Sequence, residues 1–268
     1  MADMRIDGFL KSVRESTALA IAKSNAILPL NTLRREAEQT APPASFLTAM
    51  ETSHAGDIGI IAEIKKASPS QGDIRPDLDP ALYAQAYTRA GVRAISVLTE
   101  PRYFKGSLTD LETVCAHTDL PVLRKDFTIS SYQIYEAKRA GAASILLITT
   151  LLSKDQLTAY IHLCRELGLE PLVEVTSEKE FEMAHTCDAR VVDMNNRNLQ
   201  TLKTDLTISK RIAAILPPGI IPVEASGIAG PADIQNGLAA GIHNFLVGES
   251  IVRANDTESF IKALRHVQ

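Results

Sequence analysis

From residue 58 onward, short apolar runs alternate eight times with stretches whose apolar positions recur at helical spacing. The runs fall at 58–64, 94–99, 121–125, 144–148, 171–175, 191–195, 220–224 and 244–247. Continuous apolar runs of this kind suit strands of a parallel sheet, which helices cover on both faces. The helical stretches fall at 80–90, 108–116, 131–140, 153–167, 177–184, 205–215, 231–240 and 257–267. Pro80 after Asp79 and Pro231 after Gly230 suit first helical turns, and Gly91, Gly141, Gly168 and Gly241 stand where helices end. The phrases Arg89-Ala-Gly-Val, Arg139-Ala-Gly-Ala and Ala239-Ala-Gly-Ile repeat that stop-then-strand order. Eight strand-helix units with no long gap predict an α/β protein, a single (β/α)8 TIM barrel. An open doubly wound sheet is the alternative, but it usually has fewer strands.

The first part of the chain has no such alternation. Ile6, Phe9, Leu10, Val13, Leu19 and Ala20 follow helical spacing, and a second helical pattern at 30–37 ends before Pro42-Pro43. About 45 residues hardly bury a core alone. We therefore expect an N-terminal helical extension, residues 1–45, packed on a barrel of residues 46–268, across its open end.

Composition narrows the function. A 268-residue chain that is 45% hydrophobic can bury a large core. No apolar run reaches the roughly 18 residues of a membrane span, and no secretory signal order begins the chain, so a cytoplasmic protein with no membrane partner is expected. With 28 Lys+Arg against 32 Asp+Glu, the net charge of −4 offers no broad basic field for nucleic acid. Cys115, Cys164 and Cys187 are scattered and odd in number, which suggests buried structural thiols rather than disulfides or a zinc knuckle.

The polar residues at strand ends are the candidate chemistry. In a barrel, alternate strand residues point inward and the C-terminal mouth carries the active site. Glu63 and Lys65 share a parity on the first run, and Lys125 closes the third, otherwise apolar, run. The fifth contributes Glu174, and the sixth ends Asn195-Asn196-Arg197-Asn198. Taken alone, Lys125 reads more readily as a surface lysine with its stem over apolar neighbours. Scattered solvated charges, however, would sit in the helices rather than at one end of several strands. After runs seven and eight come Ser226-Gly227-Ile228-Ala229-Gly230 and Gly248-Glu249-Ser250. These are the barrel loops that commonly hold phosphate, with Ser68 or Ser70 available from the loop after run one. The loop at 68–75, with Gly72, reads as a closing flap or as a passive solvated loop.

Glu63-x-Lys65-x-x-Ser68-Pro69-Ser70, Gly106-Ser107-Leu108, Leu123-Arg124-Lys125-Asp126-Phe127, Leu172-Val173-Glu174-Val175, Asn195-x-Arg197-x-Leu199, Ser226-Gly227 and Leu246-Val247-Gly248 together resemble the indole-3-glycerol-phosphate synthase family over nearly the whole chain. The resemblance implies ring closure of 1-(2-carboxyphenylamino)-1-deoxyribulose 5-phosphate to indole-3-glycerol phosphate, with loss of carbon dioxide and water, in tryptophan biosynthesis. It implies a carboxy-lyase that uses no metal or organic cofactor, and it leaves open association with other tryptophan-pathway enzymes. By the same resemblance Lys125 is the general acid for closure, and Lys65 and Glu174 serve in closure and dehydration. Glu63 and Asn195 orient substrate hydroxyls and the lysines. Arg197 is a candidate for the substrate carboxylate or its charge network, and Ser68, Ser226, Gly227, Gly248 and Glu249 belong to the substrate-binding set. Phe104, Phe127, Leu146, Leu199 and Leu246 match an apolar sleeve for the anthranilate ring. The residue types suit the chemistry, since the ketone oxygen needs an acid as the aromatic carbon attacks.

Two positions depart from that pattern. The family usually has glutamate immediately before the serine of strand seven, but the order here is Glu224-Ala225-Ser226, and a one-residue shift turns the carboxylate toward the helix layer. Asp193 stands where the family usually has glycine, on the same face as Asn195. It either supplies the charge missing at Ala225 or makes a structural hydrogen bond below the site. Competing readings are another sugar-phosphate barrel enzyme, such as an isomerase or an aldolase with a Schiff base on Lys125, and a catalytically impaired barrel that only binds a phosphate ligand.

Overall fold

The computed structural model describes residues 7–51, 57–198 and 201–267. Strands β1 (Gly59–Ile64), β2 (Ala94–Leu98), β3 (Val122–Lys125), β4 (Ser144–Ile148), β5 (Leu172–Val175), β6 (Val191–Asn195), β7 (Ile221–Ala225) and β8 (Asn244–Val247) form a closed parallel barrel. Each pairs with its neighbours in sequence, and β8 closes onto β1 through Gly59↔Asn244 to Ala62↔Val247. The strands lie within a residue or two of the apolar runs. Closure overturns the open-sheet alternative.

Helices α1 (Asp7–Ile27), α2 (Leu30–Gln39) and α3 (Phe46–Met50) precede the barrel. The outer layer comprises α4 (Pro80–Ala90), α5 (Leu108–Cys115), α6 (Ser131–Arg139), α7 (Lys154–Glu166), α8 (Glu178–Thr186), α9 (Thr207–Ala213), α10 (Pro231–Leu238), α11 (Glu249–Arg253) and α12 (Thr257–Arg265). The units restart through local capping. The side chains of Asp79, Ser107, Ser130, Ser153, Ser177 and Asp256 each accept a backbone N–H in the first turn that follows. Each such cap is worth about 1 kcal/mol. At the other end of α4, Gly91 adopts φ +76, a left-handed conformation that favours glycine.

The core has two shells. Ile61, Leu123, Leu172, Val191 and Val223 fill the barrel interior, while Ile60, Ile95, Ile145, Val173, Val192 and Phe245 pack outward against the helices, all of them buried. The sequence before β1 serves both ends of this barrel. At the bottom, the Asn244 amide donates to the Met50 carbonyl at 3.0 Å, and Phe46 and Met50 are buried there. At the top, Phe9 of α1 meets Tyr103 and Phe127 edge-on, with ring centroids 4.9 and 6.2 Å away. Between them α2 packs on α6, burying Leu33 and Ala37 and pairing Glu36 with Arg139 at 2.8 Å. Through Phe9, α1 lies beside the mouth of the barrel.

Cys164 and Cys187 are buried and Cys115 half-buried, all as free thiols; burial pushes the Cys115 thiol up to about 12. Among the described residues, no helix is long and apolar enough to cross a membrane.

Candidate active site

A cavity of about 460 Å³ opens at the C-terminal end of the barrel strands. Its wall includes Glu63, Lys65, Ser68, Phe104, Lys125, Phe127, Leu146, Glu174, Asn195, Arg197, Ser226, Gly227, Leu246, Gly248 and Glu249. The site residues read from the sequence are thus brought together, with one exception. Leu199 lies outside the described residues.

The floor is ionic. Glu63 at the end of β1 pairs with Lys65 two residues on, at 2.8 Å, as their shared parity requires. Lys125, at the end of β3, reaches across β4 to two carboxylates on adjacent strands. Its Nζ lies 3.1 Å from Asp193 Oδ2 and 3.8 Å from Glu174 Oε2, and Glu174 and Asp193 are register partners. Burial alone would lower the Lys125 pKa, but the charges of Asp193, Glu174 and Glu63 outweigh it and raise it well above the ordinary lysine value. The amine is therefore held as ammonium. Burial raises Glu174 to about 7, against the pull of Lys125 and with help from Asp193; burial also raises Asp193. Among the described residues Glu174 Oε1 and Asp193 Oδ1 have no hydrogen-bond partner. Three carboxylates and two ammonium groups thus share one buried floor, and a proton retained on one carboxyl relieves the excess negative charge.

Above this floor Asn195 Oδ1 accepts the Arg197 backbone N–H at 2.9 Å, and the Arg197 guanidinium donates to Ser70 Oγ at 2.7 Å. Segment 68–75 is partly a short hairpin, Ala67–Ser68 against Gly72–Asp73, so the loop is anchored on the Arg197 side. The apolar wall has its own support. Buried Glu100 accepts the backbone N–H groups of Tyr103 and Phe104 at 2.6 and 3.2 Å, which fixes the turn carrying Phe104. A side chain at Gly106 would collide with the Leu98 backbone, so the Gly106-Ser107 step needs glycine for close approach.

At the opposite rim Ser226 and Gly227 have positive φ (+69 and +87), and Ser250 Oγ donates to the Ile228 carbonyl at 2.9 Å, tying the two glycine loops together. Gly248 lies over the Glu63–Lys65 pair, where any side chain would collide with both. The short helix begins at Glu249 rather than Ser250, and Glu249 pairs with Arg253 at 3.0 Å.

The displaced strand-seven carboxylate lies where parity put it. Ala225 lines the cavity, whereas Glu224 points to the helix layer and accepts from Asn196 at 2.9 Å and Ser209 at 2.8 Å. Asp193 joins the lysine floor, one layer below the Asn195↔Ala225 register pair. Sequence reasoning missed Phe9 and Arg253, which also line the cavity. Arg253 had a signal, its i,i+4 spacing from Glu249; Phe9 had none beyond the helical repeat. Among the described residues no group of His, Cys, Asp or Glu is arranged to hold a metal ion.

A TIM barrel with a lysine-carboxylate floor, an apolar wall and two joined glycine loops defines a class, barrel enzymes that work on small phosphorylated substrates by acid-base chemistry. The backbone superposes on thiamine phosphate pyrophosphorylase from Pyrococcus furiosus with a TM-score of 0.61 at 14% identity, over 80% of this chain and 96% of that one, a likeness of fold alone. The sequence goes further. Residues 10–264 match the family model for indole-3-glycerol phosphate synthase. The chain is 45% identical to the indole-3-glycerol phosphate synthase of Desulfosudis oleivorans over 95% of its length and 97% of that protein's. It is 42% identical to that of Carboxydothermus hydrogenoformans, over 96% and 99% respectively. The chain belongs to the indole-3-glycerol phosphate synthase family, decarboxylating lyases of tryptophan biosynthesis.

Proposed function

We propose that Lys125 is the general acid that closes the indole ring of 1-(2-carboxyphenylamino)-1-deoxyribulose 5-phosphate in this cavity. The observation that carries the reading is the Lys125 ammonium, held charged between Asp193 and Glu174 at the cavity floor. The ring carbon bearing the carboxylate attacks the ketone carbon, and the ketone oxygen takes a proton from Lys125. The carbon-carboxylate bond then breaks, carbon dioxide leaves, and its electron pair restores the aromatic ring. Dehydration follows. The new hydroxyl departs as water while the adjacent CH₂ carbon gives up a proton, so one carbon dioxide and one water leave for each product. Lys65 and Glu174 serve these proton transfers, and Glu63 keeps Lys65 in place.

The rest of the wall divides by chemistry. Phe104, Phe127, Leu146 and Leu246 sandwich the aromatic ring, with Leu199 assigned there by sequence. Arg197 faces the substrate carboxylate, and Asn195 orients both Arg197 and the sugar hydroxyls. Ser226, Gly227, Gly248 and the start of α11 take the phosphate, with Ser68 and Glu249 at the rim. We assign residues 1–45 to a helical extension and 46–268 to the barrel, and we place the protein in the cytoplasm on its composition. A Schiff-base aldolase is disfavoured, because such a lysine needs a lowered pKa and Lys125 has a raised one.

The test is the rise of indole fluorescence when the protein meets this substrate, run beside Lys125→Ala. The parent should form product, and the variant should lose about 100-fold or more in kcat, the ordinary contribution of a positioned acid. A variant within twofold of the parent would remove Lys125 from the role.

A further inference from the structure

Asp193 is the one buried charged group at this floor that the reaction as described does not use. It is fully buried on β6, and it does not line the cavity, whereas Lys125, Glu174 and Asn195 do. With no exposed surface, it lies beneath the cavity rather than in its wall. Of the two carboxylates near Lys125 it is the closer, 3.1 Å against 3.8 Å for Glu174. Its other oxygen has no partner among the described residues, so its side chain has no contact that a structural hydrogen bond would need beyond the one to Lys125. A buried carboxylate left half-satisfied is costly, and the lysine is what compensates it.

We propose that Asp193 is a positioning residue for the acid Lys125 and its neighbour Glu174. By taking the closer ion pair, it draws the ammonium to the β6 side and prevents Glu174 from closing on it. Glu174, beside the cavity, keeps one buried oxygen without a hydrogen-bond partner among the described residues, available to hold or move a proton. The role rests on the assignment of Lys125 and Glu174 to the chemistry. The charged groups around Asp193 are few: Lys125 from β3, Glu174 from β5, and Glu63 of β1 paired with Lys65. Glu180 of α8 acts on Glu174 from outside the barrel. From β7 the facing residues, Val223 and Ala225, bear no charge. Removing the Asp193 charge therefore leaves Lys125 a single close carboxylate partner and takes away a like charge beside Glu174. Both changes favour ionised Glu174 at lower pH.

The experiment compares the parent with Asp193→Asn, which keeps the shape, and Asp193→Ala, which leaves no buried amide to satisfy. Two readouts are taken, the pH profile of kcat and KM and the titration of the Glu174 carboxyl by ¹³C NMR of glutamate-labelled protein, assigned with Glu174→Gln. Both variants should lose about 10- to 100-fold in kcat with KM changed less than about threefold, as expected when the group lost acts away from bound substrate. The kcat limb belonging to Glu174 and the carboxyl resonance should both move to lower pH, by about half a unit or more. An unmoved resonance, or kcat within twofold of the parent, overturns the role. If the parent itself forms no product, the assignment to ring closure fails, and the carboxyl titration still decides whether Asp193 governs Glu174.

Discussion

The Glu174 carboxyl is held above the usual carboxylate range, and the cause is its place. Two residues earlier on β5, at Leu172, the same side chain would sit in the barrel core. At the end of the strand it is buried and desolvated, beside Asp193 and within reach of Lys125. Its folded-state pKa, about 7, lies above the unfolded value, so between about 4.5 and 7 the folded protein binds more protons than the unfolded chain. That group's contribution makes stability fall as pH rises through this window and leaves it level above. Glu174→Gln, which imitates the protonated form, should gain stability relative to the parent across the window, by at most about 3 kcal/mol. Urea midpoints at pH 4.5, 6 and 8 measure it. A constant difference between parent and variant would mean that Glu174 ionises normally. Much of this residue-scale chemistry is visible in the sequence, because strand parity alone brings Glu63 with Lys65 and turns Glu224 away. Which carboxylate Lys125 prefers is not visible. That choice depends on reach across a third strand, and no periodicity encodes it.

At the scale of elements, α1 is the piece that joins the extension to the cavity. Phe9 closes the aromatic side of the cavity against Tyr103 and Phe127, and Ser12 and Arg14 tie the helix to the barrel through Arg102 and the Leu151 carbonyl. Phe9→Ala should raise KM by about five- to tenfold through a lost apolar contact, with kcat within about twofold. Steady-state kinetics on the variant checks this, and an unchanged KM would make α1 a structural brace only. The helix itself follows from its repeat, and the eight units follow from capping residues and stop glycines. The hairpin at 67–73 does not, since two-residue strands carry no pattern. Nor was the part played by α3 legible. A five-residue helix is too short to show periodicity, and its place under the barrel is set by the Asn244 amide far along the chain.

The whole molecule divides its labour between two ends. At the bottom, Met50 and the Arg93–Asn244–Asp57 group close the barrel; at the top, every strand end is free to carry chemistry. Eight equivalent units supply the rigidity, and their loops supply differences: aromatic and apolar after β2 to β4, acid-base after β1, β3 and β5, glycine-rich after β7 and β8. This polarity is why the candidate residues converge on one mouth, because a barrel gives every strand end the same destination. The activity proposed for the cavity is a decarboxylating ring closure, which goes beyond binding a phosphorylated ligand. The most direct measurement is made with substrate labelled in the benzoate carboxyl carbon, counting labelled carbon dioxide against indole product. One carbon dioxide released for each indole formed is the predicted result. Bound substrate that keeps its label and yields no indole would contradict it.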